Sequence, residues 1–153
     1  MKKFIILLFM LLSLSGCVSY GSSQDKNITQ ERIDGELIIH FIDVGQGDSI
    51  FIELPNNKTM LIDGGEARFS SKIINYIDSL GYKRINYLLG THPHADHIGG
   101  LSAIIETFDI ENIYMPKKVT NTKTYEHLLT TIMNKGLKIK TALANLKIIN
   151  EGN

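Results

Sequence analysis

Two apolar runs joined by a short polar turn constrain the fold of this chain most strongly. Residues 49–54 and 59–63 are mainly apolar, and the connection between them reads PNNK. Apolar runs of this length favour strands, and Pro and Asn favour a tight turn, so we predict an antiparallel hairpin. An earlier run at 37–43 is apolar on both alternating faces, which predicts a strand covered on both sides.

Strands and helices alternate after this β-rich start. Apolar residues at helical spacing predict helices near 70–80, 101–108 and 125–133, with Ser70 or Ser71 capping the first. Further strands are predicted at 85–89, 113–115, 137–141 and 146–149. This order predicts an α/β (α+β) domain whose helices cover the outer face of a sheet. The hydrophobic share of 43% is ordinary for one compact domain.

The first residues have the layout of an export signal. Two lysines precede an apolar run at 4–14, which is shorter than the roughly 20 residues that a spanning helix needs. The sequence LSGC at 14–17 resembles the lipobox of bacterial lipoproteins. That resemblance implies cleavage before Cys17 and attachment of lipid to this residue. The alternatives are an uncleaved anchor and a buried N-terminal helix.

This interpretation divides the chain into a signal peptide at 1–16, a flexible polar tether at 17–35 and a folded domain at 36–153. Lipid on Cys17 would make the membrane a partner and hold the exported domain on the outer face of the cytoplasmic membrane. Cys17 is also the only cysteine, which excludes internal disulfides and a thiolate-rich zinc module.

The charge balance excludes a strong electrostatic pull towards nucleic acid. Basic and acidic side chains number 16 each, so the formal net charge is zero. Lys117, Lys118 and Lys123 come nearest to a basic patch, and such a run is more typical of a solvated surface. If DNA is a partner, we therefore expect it to bind without a strong basic patch.

The densest chemical signal is the sequence THPHADHIGG at 91–100, directly after a predicted strand. It contains four candidate metal ligands: His92, His94, Asp96 and His97. Loops at strand ends let ligands from one segment converge. Imidazole and carboxylate ligands suit Zn, Mn or Fe, and four of them so close together favour two adjacent ions. The alternative is a surface histidine run that binds no metal.

The pattern HxHxDH, with LIDGG at 61–65 before it, resembles the metallo-β-lactamase superfamily of dinuclear metallohydrolases. Within that superfamily, FIDVGQGDS at 41–49 is similar to the opening of the hydrolase domain of ComEC-type competence proteins. The resemblance implies an αββα sandwich with its metals at the edge between two sheets. It also implies hydrolysis of phosphodiesters or small esters by a hydroxide that the ion pair generates.

The resemblance assigns a role to each site residue. The ligands that it implies are His92 and His94 for the first zinc ion, and Asp96 and His97 for the second. Asp96 would also orient the attacking hydroxide, and Asp63 would orient the ligand loop. The loop at 44–48 could bring Asp48 near the site, or it could be only a glycine-rich turn.

Part of the superfamily's ligand set is missing from this sequence. A later aspartate and further histidines complete the site in the superfamily, and no matching segment follows residue 101. The later His127 falls in a predicted helix, and His40 falls in an apolar strand, so we expect structural or solvated roles for both. We therefore expect only the N-terminal part of the fold, completed by a missing C-terminal half or a partner chain.

Three functions are consistent with these patterns. The first is a lipid-anchored, dinuclear ComEC-like hydrolase acting on phosphodiesters, with DNA among the candidates. The second is an esterase, lactonase or thioesterase of the same superfamily. The third is a non-catalytic remnant or binding subunit.

Overall fold

One six-stranded sheet organises residues 35–149, the part of the chain that the computed structural model describes. Its strands lie in chain order: β1 (Ile38–Phe41), β2 (Ile50–Glu53), β3 (Thr59–Ile62), β4 (Arg84–Leu89), β5 (Asp109–Met115) and β6 (Ile139–Thr141). The pairs β1–β2 and β2–β3 are antiparallel, which confirms the predicted hairpin, and β3 to β6 run parallel. The parallel strands therefore all end at the same edge of the sheet.

Helices connect the parallel strands and cover one face of the sheet. Within the described residues they are a 3₁₀ turn (Ala67–Phe69), α1 (Ser70–Ser79), α2 (Ala95–Ile98), α3 (Leu101–Thr107) and α4 (Lys123–Asn134). Their apolar sides meet the sheet in the main core, where Phe51, Leu61, Ile77, Leu88 and Leu128 have no exposed surface. This six-stranded sheet with its helices confirms the predicted α/β (α+β) class.

The opposite face of the sheet is only partly covered. Ile148 and Ile149 pack there against a small cluster around Met60. At the β1 end, by contrast, Ile39 is 47% exposed and Phe41 is 79% exposed. The prediction that the first strand is covered on both sides is therefore wrong. β1 lies at the edge of the sheet, and no other described residues cover the side chains on its outer face.

Two further details differ from the predictions. Neither Ser70 nor Ser71 caps α1, because the 3₁₀ turn runs directly into the helix and Phe69 takes the N-cap position. The Ser70 hydroxyl instead donates to the carbonyl of Ala67 in that turn. Residues 146–149 form no strand; Ile148 and Ile149 pack on the sheet face instead of extending the sheet, and Leu146 is exposed.

The predicted signal peptide at 1–16 and Cys17 lie outside the described residues, as does almost all of the tether predicted at 17–35. Residues 150–153 of the predicted domain lie outside them as well. Among residues 35–149, no helix has the length and apolar character needed to cross a membrane.

Candidate metal centre

The carboxyl ends of β3 and β4 bring Asp63 next to the histidine loop. Ile62 pairs with Leu89 in the parallel register, so the chain leaves both strands at the same edge. The Asp63 N–H donates to the Leu89 carbonyl at 2.8 Å. The 91–97 loop therefore begins immediately beside Asp63.

Asp63 is a buried carboxylate, 1% exposed, that accepts three hydrogen bonds. Its Oδ1 accepts the Thr91 N–H at 2.8 Å. Its Oδ2 accepts the Thr91 hydroxyl proton and lies 2.9 Å from Nδ1 of His97. Because these donors hold both oxygens, Asp63 fixes the start of the loop and the orientation of His97.

The two ring nitrogens of His97 have different surroundings. Nδ1 contacts Asp63, whereas Nε2 lies 3.9 Å from Oδ2 of Asp96 and has no hydrogen-bond partner among residues 35–149. Histidines that bind metals commonly donate one N–H to a carboxylate and bind the ion through the other nitrogen. His97 and Asp96 therefore have the arrangement of two ligands that face a common ion.

The other two histidines of the loop join the same cluster. The ring centroid of His92 is 3.9 Å from that of His97 and 4.6 Å from that of His94. The four predicted ligands, His92, His94, Asp96 and His97, are therefore neighbours, and among the described residues the group whose ligand atoms all lie within 4.8 Å of one another is Asp48, Asp63 and His97.

The loop after β1 packs on Asp96, a contact that the sequence analysis missed. The Gln46 side-chain amide donates to Oδ2 of Asp96 at 3.3 Å. Gly47 has a φ of +97°, and a Cβ there would lie 1.8 Å from the Asp96 carbonyl oxygen. The GQG sequence was the available signal, because glycines on both sides of a polar residue allow close backbone approach.

Asp96 is electrostatically suited to remain ionised. Its own backbone N–H is the main cause that lowers its pKa below 3.8, and the Gln46 amide and the charges of His97 and His94 add to this effect. Partial burial acts in the opposite direction. A carboxylate that stays ionised is a better ligand for a divalent cation.

A second group of potential ligands lies beside the first. Atoms of Asp48, Asp63 and His97 all lie within 4.8 Å of one another, with Oδ2 of Asp48 3.6 Å from Nδ1 of His97. The closest atoms of Asp63 and His97 in this trio, Oδ2 and Nδ1, already contact each other at 2.9 Å, and Oδ1 of Asp63 accepts the Thr91 N–H. We therefore favour the 92–97 ligand set and interpret the trio as the support behind His97.

Comparison with known proteins identifies the superfamily of the chain. A profile of the metallo-beta-lactamase superfamily matches residues 42–149, and the chain belongs to this superfamily. It is also 27% identical over 119 residues to ComE operon protein 3 of Bacillus subtilis (strain 168). That match covers 67% of this chain and 15% of the relative, so the chain spans only a small part of the relative's length. Both findings support a metal-binding hydrolase.

The predicted roles of individual ligands stay predictions. The described residues supply one of the two sheets that an αββα sandwich requires.

The two remaining histidines lie away from the cluster. His127 is exposed on α4, and His40 uses both ring nitrogens in contacts with Tyr76 and Glu53. The supply of further ligands by a C-terminal half or a partner chain also stays a prediction.

Proposed function

We propose that this chain is a hydrolase that uses two divalent ions to cleave phosphodiesters. Its ligands would be His92, His94, Asp96 and His97, with zinc as the expected metal and Mn or Fe as alternatives. The observation that carries the proposal is His97, whose Nδ1 is fixed by Asp63 while Nε2 faces Asp96 at 3.9 Å. The donor set contains only nitrogen and oxygen, which fits such ions.

The residues around the site act by holding the ligands in place. Asp63 orients His97, and the Gln46 amide restrains the Asp96 carboxylate. The lowered pKa of Asp96 keeps this carboxylate ionised to a lower pH than an ordinary aspartate. When bound, the ions would act as Lewis acids on the scissile group and bring the pKa of a water close to 7.

Positive charge near the carboxyl ends of the parallel strands, where the ligand loop begins, supports a phosphodiester substrate. The Gly90 N–H donates to the Tyr114 carbonyl at 3.0 Å, which places the end of β5 beside the start of the ligand loop. The exposed Lys117 and Lys118 follow directly after that strand. Cations at this position would attract an anionic substrate. The sequence similarity to ComEC-type competence proteins supports the same substrate class.

Hydrolysis assays on the full chain test the proposal. Metal-free protein reloaded with Zn²⁺ or Mn²⁺ should cleave bis(p-nitrophenyl) phosphate in preference to p-nitrophenyl acetate. Asp96→Ala should lower the diester rate by about 100-fold or more, since it removes a ligand. Asn75→Met, at an exposed amide on α1, should keep the wild-type rate. Equal diester rates in wild type and Asp96→Ala would contradict the proposal, and cleavage of the acetate alone would favour an esterase.

We also propose that lipid on Cys17 anchors the exported domain to the outer face of the cytoplasmic membrane. The support is the signal layout at 1–17, which ends in LSGC. Labelled palmitate supplied to a bacterial host should appear in the wild-type protein and not in Cys17→Ser. Equal labelling of both proteins would contradict the anchor.

A further inference from the structure

A chain of hydrogen bonds connects Asp63 to two histidines of the ligand loop. His97 reaches the carboxylate directly, with Nδ1 2.9 Å from Oδ2. The second route passes through Thr91, whose hydroxyl donates to the same oxygen. Nδ1 of His92 lies 3.0 Å from that hydroxyl oxygen. His92 and His97 are therefore both tied to one buried carboxylate.

The chemistry of these groups fixes where each proton lies. The Thr91 hydroxyl donates to Oδ2 of Asp63, and a threonine hydroxyl has a single proton to donate. That proton lies towards Asp63, so the oxygen of Thr91 must accept from His92. Nδ1 of His92 therefore carries its proton. The Thr91 N–H, which donates to the other oxygen of Asp63 at 2.8 Å, holds the threonine in this position.

We propose that Thr91 is a positioning residue that holds His92 in the Nδ1–H tautomer and so leaves Nε2 to bind the metal. In a neutral imidazole only the nitrogen without a proton has a lone pair to offer an ion. Asp63 thereby orients two candidate ligands: it contacts His97 directly, and it acts on His92 through Thr91. The binding of a metal by Nε2 of His92 rests on the proposed function, whereas the Nδ1–H tautomer of His92 does not.

Two substitutions at Thr91 separate the hydroxyl from the shape of the side chain. Thr91→Val keeps the branched shape and removes the hydroxyl that connects Asp63 to His92. Thr91→Ser keeps the hydroxyl and removes a methyl group. Thr91 is exposed, so either replacement fits without disturbing the core. Thr130→Val is the matched control, because the hydroxyl of this exposed residue donates only to the Glu126 carbonyl within α4.

The experiment records nitrogen NMR spectra of histidine-labelled full chain without metal and then titrates each protein with Co²⁺. Wild type, Thr91→Ser and Thr130→Val should all show His92 protonated at Nδ1. In Thr91→Val, His92 should lose this preference while His97 keeps its own. The Co²⁺ affinity of Thr91→Val should fall about tenfold, and Thr91→Ser should stay within about threefold of wild type.

Two results would overturn the inference. One is an unchanged His92 tautomer in Thr91→Val. The other is an equal loss of affinity in Thr91→Ser and Thr91→Val, which would assign the effect to the methyl group. If the wild-type chain binds no Co²⁺, the proposed function and the metal-binding consequence both fail, and the tautomer of His92 still decides the role of Thr91.

Discussion

The structure contains two histidine–carboxylate pairs of equal length in different parts of the sheet. Nδ1 of His97 lies 2.9 Å from Asp63, and Nε2 of His40 lies 2.9 Å from Glu53. The two histidines are also similarly buried, with side chains 14% and 13% exposed. Length and burial therefore do not distinguish a metal-centre pair from a structural one.

The second ring nitrogen is what distinguishes the two pairs. Nδ1 of His40 lies 2.9 Å from the Tyr76 hydroxyl, so this ring joins β1 to α1 with both nitrogens used. Nε2 of His97 faces Asp96 at the carboxyl edge of the sheet. Position explains the difference, because His40 lies within strand β1 and His97 lies in the short helix α2 that follows β4. A histidine with one fixed and one unused nitrogen is the stronger sign of a metal site.

Gly47→Ala should disrupt the His97 region most severely. The new methyl group would lie 1.8 Å from the Asp96 carbonyl oxygen, at a φ of +97° that disfavours any side chain. We expect the free energy of unfolding to fall by about 3–5 kcal/mol and Co²⁺ binding to be lost.

Gly81→Ala is the matched control for this prediction. Its φ is +87° and no atom lies within 4 Å of the added Cβ, so it should cost only about 1–2 kcal/mol and leave Co²⁺ affinity unchanged. Urea unfolding and Co²⁺ titration measure both quantities. Equal losses of stability in the two variants would show that Gly47 does not pack closely on Asp96.

Replacing each carboxylate by its amide tests directly whether the two histidine–carboxylate pairs differ in their effect on metal binding. Asp63→Asn should lower Co²⁺ affinity by about 10- to 100-fold, because His97 loses a charged acceptor. Glu53→Gln should leave Co²⁺ affinity unchanged and lower the free energy of unfolding by about 1–3 kcal/mol, since its side chain binds His40 and Tyr82. A fall in affinity in Glu53→Gln as large as that in Asp63→Asn would remove the distinction between the pairs.

Gln46→Met should have a smaller effect, confined to the metal region. Methionine matches the length of glutamine and cannot donate to Asp96, so we expect Co²⁺ affinity to fall by about tenfold or less. Asn75→Met also replaces an exposed amide by methionine, on α1, and should leave Co²⁺ affinity unchanged. Unchanged Co²⁺ affinity in Gln46→Met would mean that this contact does not restrain Asp96.

Lys72→Met should have the smallest effect, and that effect should depend on pH. Asp43 accepts the Gly45 N–H at 3.0 Å and pairs with Lys72 at 3.1 Å, and these contacts lower its pKa below 3.8. A lowered pKa adds stability that is present above the unfolded value and lost as pH falls through the folded value.

Urea midpoints between pH 7 and pH 2.5 test this dependence. The midpoint of Lys72→Met should lie slightly below that of wild type at pH 7, and the difference should shrink below pH 3.8. In an Asp43→Asn background, Lys72→Met should have a pH-independent effect. A difference that persists unchanged to the lowest pH would show that the Asp43–Lys72 pair is not its source.

Much of the fold could be predicted because the relevant signals are local. The hairpin followed from PNNK between two apolar runs, and the positions of α1, α3 and α4 followed from apolar spacing, whereas the short helix α2 was not predicted. The exposed side of β1 could not be predicted, since an apolar strand has the same sequence whether or not another layer covers it. The Ser70 cap failed because the sequence did not reveal the 3₁₀ turn before α1.

The site was predictable where its residues are close in sequence. The HxHxDH loop and Asp63 were found from spacing and resemblance, and the structure brings them together. Gln46 and Thr91 were missed because their roles depend on which side chain each one meets after folding. Gln46 lies 50 residues from Asp96 in the chain, and the two side chains meet where Gly47 packs closely on Asp96 in the folded structure.

Anomalous diffraction at the zinc edge, from crystals of the chain grown with Zn²⁺, would locate the metal ions among these ligands. We expect anomalous density among His92, His94, Asp96 and His97, with His97 bound to the ion through Nε2 and its Nδ1 still in contact with Asp63. Density on Nδ1 of His97, shared with Asp48 and Asp63, or density at His40, would contradict this expectation.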